Sequence, residues 1–269
     1  MIRLSYWHLI WKNNRGFAIF SMGFITLLQF LILYLISTAD TSSIITAIIE
    51  QLPEKLRIFL NDSFFNTLSF QGAAAFGFNH PLVLALLAIN AINIPLHHIT
   101  REMESGTLEL LLAHPFKRHS FIISLWVSGC LILFTIILAA LIGSLSAIAI
   151  FHHLSQEIIT KMMQISFNQW LLFILIMSYT MIITTFGEKG NKTGNISAVL
   201  TLIFYLLHFL SQLWESIAFI KPFNIFTYYE PQKLMFNHGN FLTDISILSS
   251  LILVCLFISL WQFGRRDIS

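Results

Sequence analysis

Charge is what this chain has least of. Only 10% of its 269 residues are Asp, Glu, Lys or Arg, while 56% are hydrophobic. A soluble domain carries about 25% charge, and a mean hydropathy of +0.77 places the chain in the membrane class. A net charge of only +2 gives no basic excess of the kind that draws nucleic acid. Cysteine is nearly missing: Cys130 and Cys255 lie inside apolar runs. They exclude a disulfide framework or a cysteine metal site and read as small buried hydrophobes. Acids and bases are absent from the middle of every long apolar run. Intramembrane ionisable groups mark proton relays and ion paths, so their lack argues against a proton-coupled pump. It leaves no buried acid, base or activated nucleophile for a membrane enzyme or protease. Repeats, low-complexity tracts and soluble domain boundaries are also missing, so residues 1–269 read as one transmembrane domain.

Apolar length takes the place of charge. A helix of about 20 apolar residues crosses a bilayer, and six uncharged runs qualify: Gly16–Ala39, Asn79–Thr100, His119–Phe151, Phe167–Phe186, Gly194–Trp214 and Ile245–Gly264. The expected fold class is an all-α polytopic membrane protein with six transmembrane helices. The first run is too long for a signal peptide and lacks a nearby small-residue cleavage site, so an uncleaved span is expected. The third exceeds one crossing but cannot hold two and a turn, so one helix should project beyond the bilayer. Placing both termini on one side collects Arg3, Lys12, Arg15, Arg101, Lys117, Arg118, Lys189, Lys192, Arg265 and Arg266, 10 of the 15 basic residues. By the positive-inside rule both termini are cytoplasmic. Trp170, Trp214 and Trp261 stand near span ends, where amphipathic rings prefer to sit.

Three further segments do not read as spans. Residues 1–15 place Leu4, Trp7 and Trp11 at helical spacing among basic residues, which predicts an interfacial helix before the chain turns into the first span. The outer loop from Ser37 to His80 contains an amphipathic stretch interrupted at Pro53. Residues 215–244 are apolar and aromatic but carry Pro222 and Pro231, which predicts a re-entrant or interfacial hairpin. Phe223, Phe226, Tyr228 and Tyr229 there are candidates for an outer gate, with an aromatic interface belt as the competing reading.

Two motifs carry no chemistry. "GEKGNKTG" at 187–194 has Asn191 where a phosphate-binding loop needs Gly before its Lys, and it joins two spans. His97–His98 and His152–His153 are adjacent pairs, and neighbours on a helix do not share a face. No catalytic residue and no metal site is expected. "REMESGTLELLLAHPFKR", residues 101–118, is different, because it concentrates Glu102, Glu104 and Glu109 between two spans. Gly106 breaks the helix leaving the second span, Thr107 can start another, and Pro115 ends it. Leu108, Leu111 and Leu112 then share one face, with Glu109 pointing away. Glu102 and Glu104 oppose the dipole of the helix they end. Two readings stay open: a solvated loop, or a docking surface for a partner of complementary charge.

The order of acidic pair, Ser-Gly-Thr, Leu-Glu and Pro-plus-basic exit in residues 101–118 resembles the cytoplasmic signature of the ABC type-2 transporter permeases. Six spans, an N-terminal interfacial helix and a broken outer hairpin extend the likeness over most of the chain. His114 departs from it, where many relatives carry a small or polar residue. The resemblance implies a bacterial inner-membrane permease that hydrolyses no ATP itself. Residues 101–118 would be the coupling helix region, with Glu102, Glu104, Ser105, Gly106, Thr107, Leu108 and Glu109 meeting a separate ABC ATPase subunit. Two copies of that ATPase would hold ATP and Mg, and Trp7 and Trp11 would brace it. A second permease chain would complete a homodimer in the lipid membrane and an export path for an unidentified substrate. A polytopic scaffold without transport and a membrane-embedded enzyme are the competing classes.

Overall fold

The computed structural model describes residues 4–38, 69–104, 118–187 and 190–265, and every regular element among them is helical. In chain order these are α1 (Leu4–Thr38), α2 (Phe70–Asn79), α3 (Pro81–Pro95), a π-turn (Leu96–Thr100), α4 (Arg101–Glu104), α5 (Arg118–Phe151), α6 (Gln156–Phe186) and α7 (Gly190–Leu213). Two 3-10 segments (Glu215–Phe223 and Ile225–Tyr228), α8 (Pro231–Met235) and α9 (Phe241–Arg265) follow. Among the described residues six helical stretches are long and apolar enough to cross a membrane: His8–Thr38, Phe70–Thr100, His119–Phe151, Gln156–Phe186, Lys192–Leu213 and Phe241–Arg265.

The expected turn between an interfacial helix and the first span is not there. Residues 4–38 form one helix of 35 residues, about 52 Å long at 1.5 Å per residue, against a hydrocarbon core of about 30 Å. No proline interrupts it, and a lone Gly16 costs a helix only about 1 kcal/mol. The amphipathic beginning is therefore continuous with the span. The second and fourth spans also begin earlier than the uncharged runs suggested. Ser155 caps α6 by accepting the Ile158 N–H at 3.3 Å, which lets the helix start eleven residues before Phe167. Residues 39–68, which hold most of the expected outer loop and its amphipathic stretch, lie outside the described residues.

At the centre stands α6. Its most apolar stretch is 72% buried, against 11% for the corresponding stretch of α9 and 17% for that of α7. Around it pack α3, α5, α7 and α9, while α1 leans on α5 with one face. The buried side of α1 recurs at helical spacing, with Ile10, Ala18, Ser21, Ile25, Gln29 and Leu33 all buried, while Ile19, Phe20, Leu27, Leu31 and Leu35 are exposed. Such a stripe is what a peripheral helix needs. Helices in lipid gain from close approach at small residues, and Gly143 of α5 provides it. A Cβ there would meet Thr26 Cγ2 at 2.7 Å and the Thr26 backbone at 3.1 Å. Thr26 Oγ1 donates to the Ala139 carbonyl at 3.1 Å beside this crossing.

Contacts sort the two ends of the bundle. At one end Asn14 meets His98, Leu96 lies under Gly194, His119 lies against Gly264, and Phe121 stacks on Phe263 with centroids 5.6 Å apart. At the other Phe30 and Tyr34 meet Phe151, Phe70 meets His152, Phe167 meets Phe241, and Lys161 hydrogen-bonds Asn237. Lys12, Arg15, Lys192 and Arg265 therefore share the first end, and Lys161 and Lys233 the second.

Candidate functional site

The second span carries the irregularities. It breaks once at His80 and again after Pro95. At the first break His80 is extended, and Pro81 opens α3 without an N–H to offer back to α2. The Leu82 N–H turns to His80 Nδ1 at 3.3 Å, so the Phe78 carbonyl must find donors elsewhere. It finds two. Gln169 Nε2 of α6 donates to it at 2.8 Å, and the Tyr229 hydroxyl, from between the last 3-10 segment and α8, donates at 3.0 Å. Tyr229 is 1% exposed, and burial raises its phenol pKa well above the ordinary tyrosine value.

At the second break Pro95 has no N–H to give Ala91, and the Leu96 N–H bonds to both Asn93 and Ile92 carbonyls. The helix widens into a π-turn over Leu96–Thr100 before α4 resumes an α-helical path. Leu96, His98, Ile99 and Thr100 are buried in it. Glu102 and Glu104 follow on α4, with Glu104 exposed and Met103 packed against the core. The second span thus delivers the acidic pair to the end that holds α1's first turns. Ser105, Gly106, Thr107, Leu108 and Glu109 lie outside the described residues. Trp11 is half-buried against the core. Trp7 stands on the same helix one turn earlier, its side chain outside the described set.

The four aromatics expected at an outer gate do not form one group. Phe223 is 81% exposed, whereas Phe226 and Tyr229 are buried. Phe226 packs edge-on to Tyr205 with centroids 5.6 Å apart. Tyr228 donates to the Pro222 carbonyl at 2.6 Å, tying the two 3-10 segments together. Sequence reasoning also missed the neutral polar residues buried inside the spans. Asn90 of α3 donates to Ser21 of α1 at 2.9 Å, and Gln29 packs on Gly77. The amides of Gln29 and Asn168 have no hydrogen-bond partner among the described groups. Their signal was present as lone Asn and Gln residues in apolar runs. Among the described residues no cluster of three or more His, Cys, Asp or Glu could hold a metal ion.

The described residues thus place a second span with two irregularities, running into the acidic α4, within six helices long enough to cross a membrane. The family model described as ABC-2 family transporter protein matches residues 17–268. The chain belongs to the ABC-2 transporter family. No curated protein matches it at a significant level. As an ABC-2 permease it is a membrane subunit of a transporter and not itself an enzyme. Its irregular second span connects the two ends of such a transporter: the Phe78 carbonyl ties it to the segment before α9, and the π-turn ties it to α1.

Proposed function

We propose that this permease carries a substrate outward across a bacterial inner membrane, driven by a separate ATPase subunit that docks on residues 101–118. One observation carries the reading. The second span passes through the π-turn into α4 without a loop, so the helical residues Glu102 and Glu104 lie at the end of the bundle that holds α1's first turns. A rigid lever needs no catalytic residue, which suits spans whose middles lack acids and bases. Glu102 and Glu104 would face basic or polar groups of the ATPase, and Ser105, Gly106, Thr107, Leu108 and Glu109 would form the contact that moves with it. Trp7 and Trp11 would steady the same partner from α1. ATP and Mg belong to that partner, present in two copies. A second permease chain would supply the other wall of the path, and both termini would lie in the cytoplasm.

Closure of the ATPase dimer would draw the two coupling regions together, and α3 would pass the motion toward the outer segment around Phe223, Phe226, Tyr228 and Tyr229. Charge reversal tests the docking. Purified with its host's ATPase, the Glu102→Arg, Glu104→Arg chain should retain about tenfold less of that subunit than wild type, as expected for losing charge-assisted contacts. Unchanged retention together with unchanged hydrolysis would rule out the coupling assignment.

A further inference from the structure

His98 sits 1% exposed in the π-turn, where a polar ring must be bonded. Its Nε2 lies 3.1 Å from Asn14 Nδ2, across 84 positions of chain. The same Asn14 nitrogen donates to the Ile10 carbonyl at 2.8 Å. That second bond fixes which way the amide faces, because a carbonyl oxygen turned toward Ile10 would meet another acceptor. Asn14 thus presents a donor to His98, and the ring accepts through Nε2 in its neutral form. Ile10 itself is fully buried, so the asparagine is held on a fixed part of α1. Around the π-turn, Leu96 lies so close to Gly194 that a Cβ there would meet Leu96 Cδ2 at 2.9 Å, and α6 packs on it as well.

A π-turn holds one residue more than an α-turn, and it recurs at functional sites. One residue corresponds to about 100° of helix rotation. The turn therefore sets the direction in which Arg101–Glu104 leave the bundle, and whatever grips the turn holds that direction. We infer that Asn14 and His98 are positioning residues for coupling: their hydrogen bond clamps the π-turn to α1, so that movement of α4 drives α1 together with α3. This inference rests on the coupling reading of residues 101–118.

The test uses the full chain, co-purified with its host's ATPase and reconstituted in lipid vesicles, with Mg-ATP as the probe. Phe219→Cys, exposed at the far end of the bundle, reports conformation through its maleimide labelling rate with and without Mg-ATP. Asn14→Leu, Asn14→Ala and His98→Leu should keep the ATPase bound while shrinking the ATP-dependent change by about two- to thirtyfold, the range for residues along a coupling route. His98→Gln, whose amide oxygen can accept from Asn14, should restore at least half of the response. Asn14→Ala is the arm that decides if the leucine variants fail to reach the membrane, since alanine only removes the amide from a half-buried helical position. A wild-type chain with no bound ATPase or no response to Mg-ATP overturns the coupling reading and this inference together. A responsive wild type with equally responsive Asn14 and His98 variants overturns this inference alone. Equal loss in His98→Leu and His98→Gln does the same, because the hydrogen bond would not then be the agent.

Discussion

The Phe78 carbonyl receives two side chains that converge from elements 91 and 151 residues away. Each such bond contributes about 0.5–1.5 kcal/mol, but an acceptor left bare in an apolar interior costs about 1–3 kcal/mol. The two donors are therefore not independent. Tyr229→Phe alone should cost about 1 kcal/mol, with Gln169 still in place. Gln169→Leu alone should be nearly neutral, since its Oε1 has no hydrogen-bond partner among the described residues and leucine removes that burden along with the bond. The double variant should cost about 1 kcal/mol more than the two single changes together, because only it strips the carbonyl of both donors. A double-mutant cycle of melting temperatures in detergent reads this directly, and simple additivity would mean that the two donors do not share the acceptor. The break itself was partly legible: Asn79-His80-Pro81 is a stop-and-start signal, but at the head of an uncharged run it reads as the beginning of the second span rather than a break within a longer one. The identity of the donors was not, because hydropathy cannot say which distant amide or phenol fills a bare carbonyl.

Helices, by contrast, were mostly legible, because six apolar runs must be six helices when lipid offers no partner for the backbone. The errors lie at ends and irregularities. Nothing in residues 1–15 distinguishes a helix lying in the interface from one that continues straight into the membrane, since both want Leu4, Trp7 and Trp11 on one side. The π-turn was equally hidden: Pro95 announces a disturbance but not whether the helix kinks, stops or widens. Helix packing left a clearer trace in small residues. At Gly143 the backbone of α1 itself stands within 3.1 Å of an added Cβ, so a side chain has no flexible neighbour to push aside. Gly143→Ala should therefore lower stability by about 1–3 kcal/mol through overpacking. At Gly23, where nothing lies within 4 Å, alanine should be neutral or slightly stabilising by removing glycine's entropy in the unfolded chain. Melting of the two alanine variants side by side checks the crossing, and equal melting temperatures would place α1 elsewhere on α5.

At the scale of the molecule, charge and contact select the same two ends. Counting basic residues along the sequence groups Lys12, Arg15, Lys192 and Arg265 on one side. The Asn14–His98, Leu96–Gly194 and His119–Gly264 contacts bring their helix ends together independently of any charge. An even number of spans requires that agreement; a misread span would have sent one terminus to the opposite end. The compartment each end faces is a matter of charge: the positive-inside rule, by which insertion holds Lys and Arg back in the cytoplasm, underlies the proposal that the first end is cytoplasmic. The outcome can be read in intact cells with a membrane-impermeant maleimide. His238→Cys, exposed near the Lys161–Asn237 contact, should label at once. Lys12→Cys and Lys192→Cys, both exposed at the opposite end, should label only after the cells are permeabilised. Labelling in the reverse order would invert the permease and place residues 101–118 beyond reach of any cytoplasmic ATPase. Immediate labelling of Lys12→Cys and His238→Cys together would break the parity of six spans, and with it the grouping of ends on which the proposed coupling route through the second span depends.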